Sequence, residues 1–257
     1  MLQIEPIAAF SDNYIWLLSD PASGQAVVVD PGDASPVQSA LSERGLTLSG
    51  IMITHHHFDH VGGLATLKAS HSCHVWGPHN PGIDGVDTRL ADGDSVEILG
   101  TKFDIIEVPG HTMDHIAFYH AAEKPLLFCG DTLFAGGCGR VFEGTFPMMH
   151  ASLKKLAVLP EDTAVYCAHE YTLANLTFAR AVEPDNQALA DRIAAAEATR
   201  ARSEATVPST LGLELATNPF LRAETPALVA ALSASGKLEG ETGDEVFATV
   251  RGWKDKF

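Results

Sequence analysis

Long hydrophobic runs are missing from this sequence of 257 residues. No stretch approaches the roughly 18–20 consecutive apolar residues that span a bilayer. The N-terminal segment also lacks the basic residues and the long apolar stretch of a signal peptide. Cysteine is scarce: the four cysteines form no Cys-x-x-Cys pair, which argues against a disulfide framework. We therefore expect a cytoplasmic protein whose thiols are reduced.

Basic residues are also few, since 17 Lys and Arg face 33 Asp and Glu and give a formal net charge of −16. Such a charge opposes binding to nucleic acids, which depends on neutralising phosphates, and to anionic membrane surfaces. We expect neither partner. The hydrophobic fraction of 46% excludes a disordered chain and is enough for the core of one large domain or two modest ones.

Histidine, in contrast, is concentrated in one part of the chain. Ten of the 12 histidines lie between His55 and His120. Histidines that merely occupy a surface would be scattered, so this concentration indicates metal binding.

The first two-thirds of the chain alternates short β-rich runs with helical stretches, which predicts a layered α/β fold. Strands are predicted at 14–18, 26–30, 50–54, 73–76, 96–99, 102–108, 115–119, 125–129 and 163–167, and helices at 35–44, 61–70 and 147–158. Ser35 is predicted to cap the first helix and Pro36 to be its first residue. Beyond residue 172 the sequence predicts helices over 173–204, 225–234 and 241–254, hence a small helical domain.

One segment combines five candidate ligands within six residues: it reads Thr54-His55-His56-His57-Phe58-Asp59-His60 and follows an apolar strand. Residues two apart in an extended segment face the same side, so His55 and His57 can bind one ion. Asp59 and His60 lie beyond a turn and can serve a second ion. His56 faces away and is not expected to be a ligand.

Three more candidates, His111, Asp131 and His169, each follow a predicted strand. In α/β layers, functional sites form where strands end in loops, so these side chains are expected to join one pocket. The count favours two ions: His55, His57 and His111 would bind one, and Asp59, His60 and His169 the other. Asp131 would bridge them, and open positions would remain for a shared water. A purely structural zinc site is disfavoured, because such sites prefer cysteine and fill all four positions.

The other histidines lack this context. His71, His74, His79, His120 and His150 are expected to be surface or hydrogen-bonded residues, and His115 is expected to support a ligand. Asp30, which ends the strand Ala26-Val27-Val28-Val29, is either a residue that orients a ligand or an ordinary turn residue before Pro31. Imidazole and carboxylate ligands suit zinc, iron and manganese alike.

These motifs resemble the metallo-β-lactamase superfamily: Thr-His-x-His-x-Asp-His, Gly110-His111-Thr112, Gly130-Asp131-Thr132 and Ala168-His169-Glu170. Further segments resemble one branch, the glyoxalase II or hydroxyacylglutathione hydrolase family. They are Ser11-Asp12-Asn13-Tyr14, Gly137-Cys138-Gly139-Arg140, Phe142-Glu143-Gly144-Thr145, His169-Glu170-Tyr171-Thr172, Asn218-Pro219-Phe220-Leu221-Arg222 and Arg251-Gly252-Trp253-Lys254-Asp255. The similarity covers the whole chain.

The resemblance implies an αββα sandwich over residues 1–172 and a helical substrate-binding domain over 173–257. It implies two divalent ions, chiefly zinc, with iron or manganese also possible, on the seven ligands named above. It also implies hydrolysis of S-D-lactoylglutathione to D-lactate and glutathione by hydroxide bound to these ions, the second step of methylglyoxal removal. Arg140, Tyr171, Arg251 and Lys254 match residues that bind glutathione. We expect a monomer.

Two positions depart from the family's pattern. Phe142 stands where some members have tyrosine, and Asp114 stands where glycine is usual.

Three alternative functions are a glutathione persulfide dioxygenase with one iron, a metal-dependent nuclease and a non-catalytic metal-binding module. The complete second ligand set opposes the dioxygenase, the acidic charge opposes the nuclease, and open coordination positions oppose the non-catalytic module. The sequence offers no obvious general acid. A thiolate leaving group, whose thiol has a pKa of about 8.5, departs with little proton assistance, so a thioester substrate is favoured.

Overall fold

A computed structural model describes residues 2–257, which divide into two compact units. The first contains the residues up to Glu107 together with Asp114–Gly130, and the second contains Val108–Met113 and Asp131–Phe257. The domain boundary predicted at residue 172 rests on a change of composition rather than on these contacts, and it stays a prediction.

The first unit contains a six-stranded mixed sheet whose strands follow one another in chain order. The strands are β1 (Gln3–Ala9), β2 (Asn13–Asp20), β3 (Gln25–Val29), β4 (Thr47–Met52), β5 (His74–Pro78) and β6 (Thr88–Leu90). β1 to β3 are antiparallel, whereas β3 to β6 are parallel. Parallel neighbours need crossover connections. The connection from β3 to β4 contains α1 (Ala34–Arg44), and that from β4 to β5 contains α2 (Phe58–Val61) and α3 (Leu64–Ser70).

The buried core of this unit lies between the sheet and its helices. Val28 and Ile51 of the central strands are fully buried, and Val37 and Leu41 of α1 pack in the same cluster. Burial on both sides explains why residues 26–29 of β3 and residues 51–52 at the end of β4 are apolar. The loops after these strands therefore start from fixed points, and the loop after β4 carries the histidine-rich segment.

The first unit also contains an antiparallel meander of four strands. Its strands are β7 (Ser95–Ile98), β8 (Thr101–Glu107), β9 (Ile116–His120) and β10 (Leu126–Gly130), and each of the last three pairs with the strand before it. The connection from β8 to β9 contains His111, which belongs to the second unit, and His115.

The second unit is mainly helical. Its strands are β11 (Leu133–Phe134), β12 (Gly137–Cys138), β13 (Ala164–Cys167) and β14 (Ser209–Thr210), and its helices are α4 (Phe146–Ala157), α5 (Thr172–Val182), α6 (Gln187–Ala201), α7 (Leu211–Thr217), α8 (Pro226–Ala234) and α9 (Gly243–Lys254). β11 and β12 form a hairpin, and β14 pairs with β13. None of the helices within residues 2–257 has both the length and the hydrophobicity needed to cross a bilayer.

Every predicted strand overlaps an observed one, but three local predictions are wrong. Asp33, not Ser35, caps α1, because the Asp33 carboxylate accepts the Ser35 N–H at 2.9 Å, and Pro36 is the third residue of α1 rather than the first. The stretch 173–204 is two helices: α5 ends before Pro184, which has no N–H to donate and disfavours helix in the residue before it. Helix α7 was not predicted.

Candidate metal centre

The histidine-rich segment begins where β4 ends. His55 is fully buried, and its Nε2 lies 3.2 Å from His57 Nδ1. The next two candidates lie in the short helix α2, where His60 Nε2 is 3.6 Å from Asp59 Oδ2. The structure therefore brings together the two pairs that the motif predicts, His55 with His57 and Asp59 with His60.

Asp30 supports this segment from the end of β3. Its carboxylate accepts the backbone N–H of Thr54 at 2.7 Å and the Thr54 hydroxyl at 2.6 Å, and its Oδ2 lies 3.0 Å from His60 Nδ1. A carboxylate that accepts the Nδ1–H fixes the imidazole so that Nε2 keeps its lone pair for a metal. Of the two readings of Asp30, orienting a ligand and forming a turn, the structure favours the first.

Asn13 contributes a contact that the sequence analysis missed. Its side-chain amide, at the start of β2, donates to Asp59 Oδ2 at 3.0 Å. Asn13 is only 7% exposed, so water does not compete strongly for this hydrogen bond. The motif Ser11-Asp12-Asn13-Tyr14 was the available signal, but a motif 46 residues from Asp59 does not reveal which side chain it contacts.

The three later candidates lie together in the second unit. Asp131 Oδ2 is 3.4 Å from His111 Nε2, and Asp131 Oδ1 is 3.4 Å from His169 Nε2. The carboxylate thus presents one oxygen to each of two imidazoles, which is the arrangement that a bridging ligand requires. All three side chains are almost completely buried.

These distances can be compared with those of a coordinated ion. Two ligand atoms at 2.0–2.2 Å from one tetrahedral ion lie about 3.3–3.6 Å apart. The four ligand-atom pairs described above lie 3.2–3.6 Å apart. Buried imidazole and carboxylate atoms at this spacing fit divalent metal ions, and we conclude that the chain binds divalent metal.

His56 and His115 differ from these residues in their contacts. His56 Nδ1 lies 2.9 Å from Asp114 Oδ1, and Asn80 donates to the other oxygen of Asp114 at 2.8 Å. Asp114, a departure from the family's pattern, thus gives His56 a partner. His115 is fully buried and stacks on His55 with 4.5 Å between ring centroids, so it supports a candidate ligand as expected.

Arg140 and Tyr171, matched to glutathione-binding residues, both lie beside candidate ligands. Tyr171 stacks on His169 with ring centroids 4.6 Å apart and an interplanar angle of 7°. The Arg140 side chain is 63% exposed and lies over the Phe142 ring, and its backbone carbonyl is 2.7 Å from His111 Nδ1. Phe142 itself is exposed, and its ring centroid lies 5.3 Å from that of His111 at an interplanar angle of 67°.

Arg251 and Lys254 lie in α9, as predicted, but their surroundings differ. Arg251 is only 4% exposed, and it donates to the Cys138 carbonyl at 3.1 Å and to Asp255 at 3.0 Å. Lys254 is partly exposed beside the Phe178 ring. Partial burial, followed by the nearby Arg251 charge, lowers the pKa of Lys254. Lys254 is therefore the more accessible cation of the two.

Comparison with known families divides the chain into two matches. Residues 10–169 match the metallo-beta-lactamase superfamily, and residues 170–257 match the hydroxyacylglutathione hydrolase C-terminus. The superfamily's fold, with a C-terminal helical domain, confirms the predicted fold class.

Curated relatives match over their full length. The chain is 54% identical to a hydroxyacylglutathione hydrolase of Pseudomonas aeruginosa PAO1 and 51% identical to one of Chromohalobacter salexigens, with 100% of both chains covered in each comparison.

Solved structures share the fold. ETHE1 from Myxococcus xanthus matches with a TM-score of 0.65 and 23% identity, covering 99% of this chain and 98% of that one. TTHA1623 in a di-iron-bound form matches with a TM-score of 0.59 and 26% identity, covering 84% of this chain and 100% of that one.

Proposed function

Since the chain belongs to the hydroxyacylglutathione hydrolases of the metallo-beta-lactamase superfamily, we propose that it hydrolyses the thioester S-D-lactoylglutathione to D-lactate and glutathione. The observation that carries this proposal is the match of residues 170–257 to the C-terminal part of that family. The metal-binding motif alone would indicate only a metal-dependent hydrolase of the superfamily, whereas the helical tail indicates the substrate class.

We propose that two ions, most simply zinc with iron or manganese as alternatives, bind to the seven candidate ligands. His55, His57 and His111 would bind one ion, Asp59, His60 and His169 the other, and Asp131 both. The di-iron form of TTHA1623 supports the count of two. When bound, such ions lower the pKa of a water molecule and place positive charge beside the oxyanion that develops from the thioester carbonyl.

The chain's own residues would orient the ligands and bind the substrate. Asp30 and Asn13 orient His60 and Asp59 through the hydrogen bonds described above. Arg140, Tyr171, Arg251 and Lys254 are proposed to bind the glutathione part. A local group of cations is needed there, because the net charge of −16 repels a substrate that carries carboxylates.

The remaining properties follow from charge and composition. We propose a monomer that acts in the cytoplasm and binds neither nucleic acid nor membrane. The acidic net charge supports the proposal that the protein binds neither nucleic acid nor membrane, and the four free cysteines support the cytoplasmic location.

A thiol-release assay tests the proposed reaction. Purified zinc-loaded protein is mixed with S-D-lactoylglutathione, and the release of glutathione is followed with a coloured thiol reagent. All four cysteines of the protein are buried, so the signal comes from glutathione. We expect stoichiometric release of D-lactate and glutathione without oxygen consumption.

The assay has two informative controls. In the first, glutathione persulfide replaces the thioester and dissolved oxygen is monitored. Oxygen consumption with persulfide, together with no thiol release from the thioester, would contradict the proposal and favour the dioxygenase. The second is the variant Asp162→Ala, which removes an exposed carboxylate outside the ligand set and should hydrolyse the thioester normally.

A further inference from the structure

The β11–β12 hairpin, residues 133–138, is bound along its backbone by side chains from the helical tail. Asn218 Nδ2 donates to the carbonyls of Phe134 at 3.1 Å and Gly137 at 2.8 Å. Asn175 Nδ2 donates to the Ala135 carbonyl at 3.2 Å, and Glu214 Oε2 accepts the Gly136 N–H at 2.8 Å. Three side chains therefore fix one backbone group in each of the four consecutive residues 134–137.

The central pair, Glu214 and Asn218, is itself rigidly held. Both residues are fully buried, and Asn218 Nδ2 also donates to Glu214 Oε2 at 3.1 Å. The other carboxylate oxygen of Glu214 accepts hydrogen bonds from Arg192 and Ser209. A buried carboxylate without such donors would be very costly, so this network has one well-defined arrangement.

The hairpin lies between Asp131, a candidate metal ligand, and Arg140, whose backbone carbonyl contacts a second candidate ligand, His111. Asp131 precedes it, and Arg140 follows it and presents its carbonyl to His111 Nδ1 at 2.7 Å. Gly139, just before Arg140, packs so closely on the Asp131 backbone that a Cβ there would lie 1.9 Å from the Asp131 carbonyl oxygen. A small displacement of the hairpin would therefore move both the Asp131 backbone and the Arg140 carbonyl.

The Arg140 carbonyl also determines the tautomer of His111. A carbonyl oxygen only accepts hydrogen bonds, so His111 carries its proton on Nδ1. Nε2, which lies 3.4 Å from Asp131 Oδ2, then keeps the lone pair that a metal needs. If the carbonyl moved away, His111 would lose both its orientation and its preferred tautomer.

We propose that Asn218 and Glu214 are positioning residues for the metal centre, acting through the hairpin on His111 and Asp131. The helical tail would then help to build the metal site as well as bind substrate. This inference rests on the metal binding in the proposed function but not on the identity of the thioester. The competing explanation is that the network merely stabilises the tail.

Zinc affinity distinguishes the two explanations. Asn218→Ala is compared with Asn186→Ala, and the dissociation constant for zinc is measured by competition with a chromogenic chelator. Asn186 is a matched control because it is another asparagine of the tail whose side chain bonds to backbone groups. It accepts the Leu189 N–H at 3.1 Å and donates to the Ala216 carbonyl at 3.0 Å, without contacting the hairpin. Urea unfolding reports the stability lost by each variant.

We expect Asn218→Ala to weaken zinc binding roughly 10- to 100-fold, the usual effect of losing a residue that orients a metal ligand. Asn186→Ala should keep the wild-type affinity, and excess zinc should restore thioester turnover in Asn218→Ala. Equal zinc affinities in the two folded variants would overturn the proposal. Since this comparison needs no substrate, a failure of the thioester assay in the wild-type protein would not be confused with it.

Asn175→Ala decides the question if Asn218→Ala does not fold. Asn175 makes one hydrogen bond to the hairpin, to the Ala135 carbonyl, and its loss removes fewer contacts from the core. We expect a several-fold weaker affinity for zinc in this variant. Unchanged affinity in folded Asn175→Ala would overturn the proposal.

Discussion

Asp131 is the side chain on which both proposed ions depend, because each of its carboxylate oxygens lies 3.4 Å from a different candidate imidazole. We predict that Asp131→Ala loses both ions together, and thioester hydrolysis with them. Elemental analysis of the dialysed protein gives the metal content, and Asp162→Ala is the control. If Asp131→Ala retained one full equivalent of metal, the bridging role would be wrong.

Lys254 provides a cleaner test of substrate binding than Arg251. Because Arg251 is buried and bonded to Cys138 and Asp255, its replacement would disturb the fold as well as any carboxylate contact. Lys254→Ala should raise KM for S-D-lactoylglutathione by roughly 10- to 150-fold, the value of a lost charge-assisted hydrogen bond. Metal content and kcat should change little, because the contact is remote from the thioester.

Two comparisons complete the Lys254 experiment. Lys237→Ala removes another lysine of the helical domain, one that lies over the Trp253 ring, and should leave KM unchanged. A small thioester without the glycine carboxylate should be hydrolysed equally well by wild type and Lys254→Ala. Equal losses with both substrates would show that Lys254 does not bind the carboxylate.

At the level of single residues, the sequence predicts ligands better than their supports. His55, His57, Asp59 and His60 are recognisable because metal-binding residue types occur at fixed spacing after an apolar strand. Asn218 stands in a recognisable motif, yet its contacts with Phe134 and Gly137 join residues more than 80 positions apart. No local pattern encodes such a contact, and the burial of Arg251 was missed for the same reason.

Among the elements, helix α9 has the most complete N-terminal cap. The Thr242 hydroxyl accepts the Glu245 N–H at 3.3 Å, and the Glu245 carboxylate accepts the Thr242 N–H at 2.9 Å. We predict that Thr242→Ala lowers the free energy of unfolding by about 1 kcal/mol, the usual value of a lost cap. Urea unfolding measures this change.

Thr177→Ala is the matched control for the cap. Thr177 is exposed within α5, and its hydroxyl bonds only the Leu173 carbonyl one turn earlier. Its replacement should cost little stability, because alanine favours helix. A loss for Thr242→Ala no larger than that for Thr177→Ala would mean that the capping interactions contribute nothing measurable.

The elements themselves were predictable where the pattern was long or strongly apolar. Residues 26–29 of β3 and 51–52 of β4 are buried and apolar, whereas β1 (Gln3–Ala9) contains polar residues and Pro6 and was missed. Helix α7 has only seven residues, too few for a clear helical period. Its importance comes from Glu214, whose partners lie outside the helix.

For the whole molecule, buried thiols predict a loss of stability in alkali. Burial raises the pKa of Cys138 to about 11 and that of Cys167 to about 12, and it also raises the pKa of Tyr166. In the unfolded chain a thiol ionises near its ordinary pKa of about 8.5. Above that pH the unfolded state binds fewer protons than the folded state, so the free energy of unfolding should fall toward pH 11.

Urea unfolding at several pH values from about 8, just below the ordinary thiol pKa of about 8.5, to about 10.5 measures this dependence. The double variant Cys138→Ala and Cys167→Ala should be less stable at every pH but should lose less stability as the pH rises. The same slope in wild type and variant would show that these thiols do not cause the alkaline loss.

The central claim, a thioester hydrolase with two ions per chain, is tested most directly by titrating the metal-free protein with zinc while measuring the hydrolysis of S-D-lactoylglutathione. We predict that activity rises from the chelated baseline and levels off at two equivalents of zinc per chain. Activity that is complete at one equivalent, or no hydrolysis at any zinc concentration, would contradict the account.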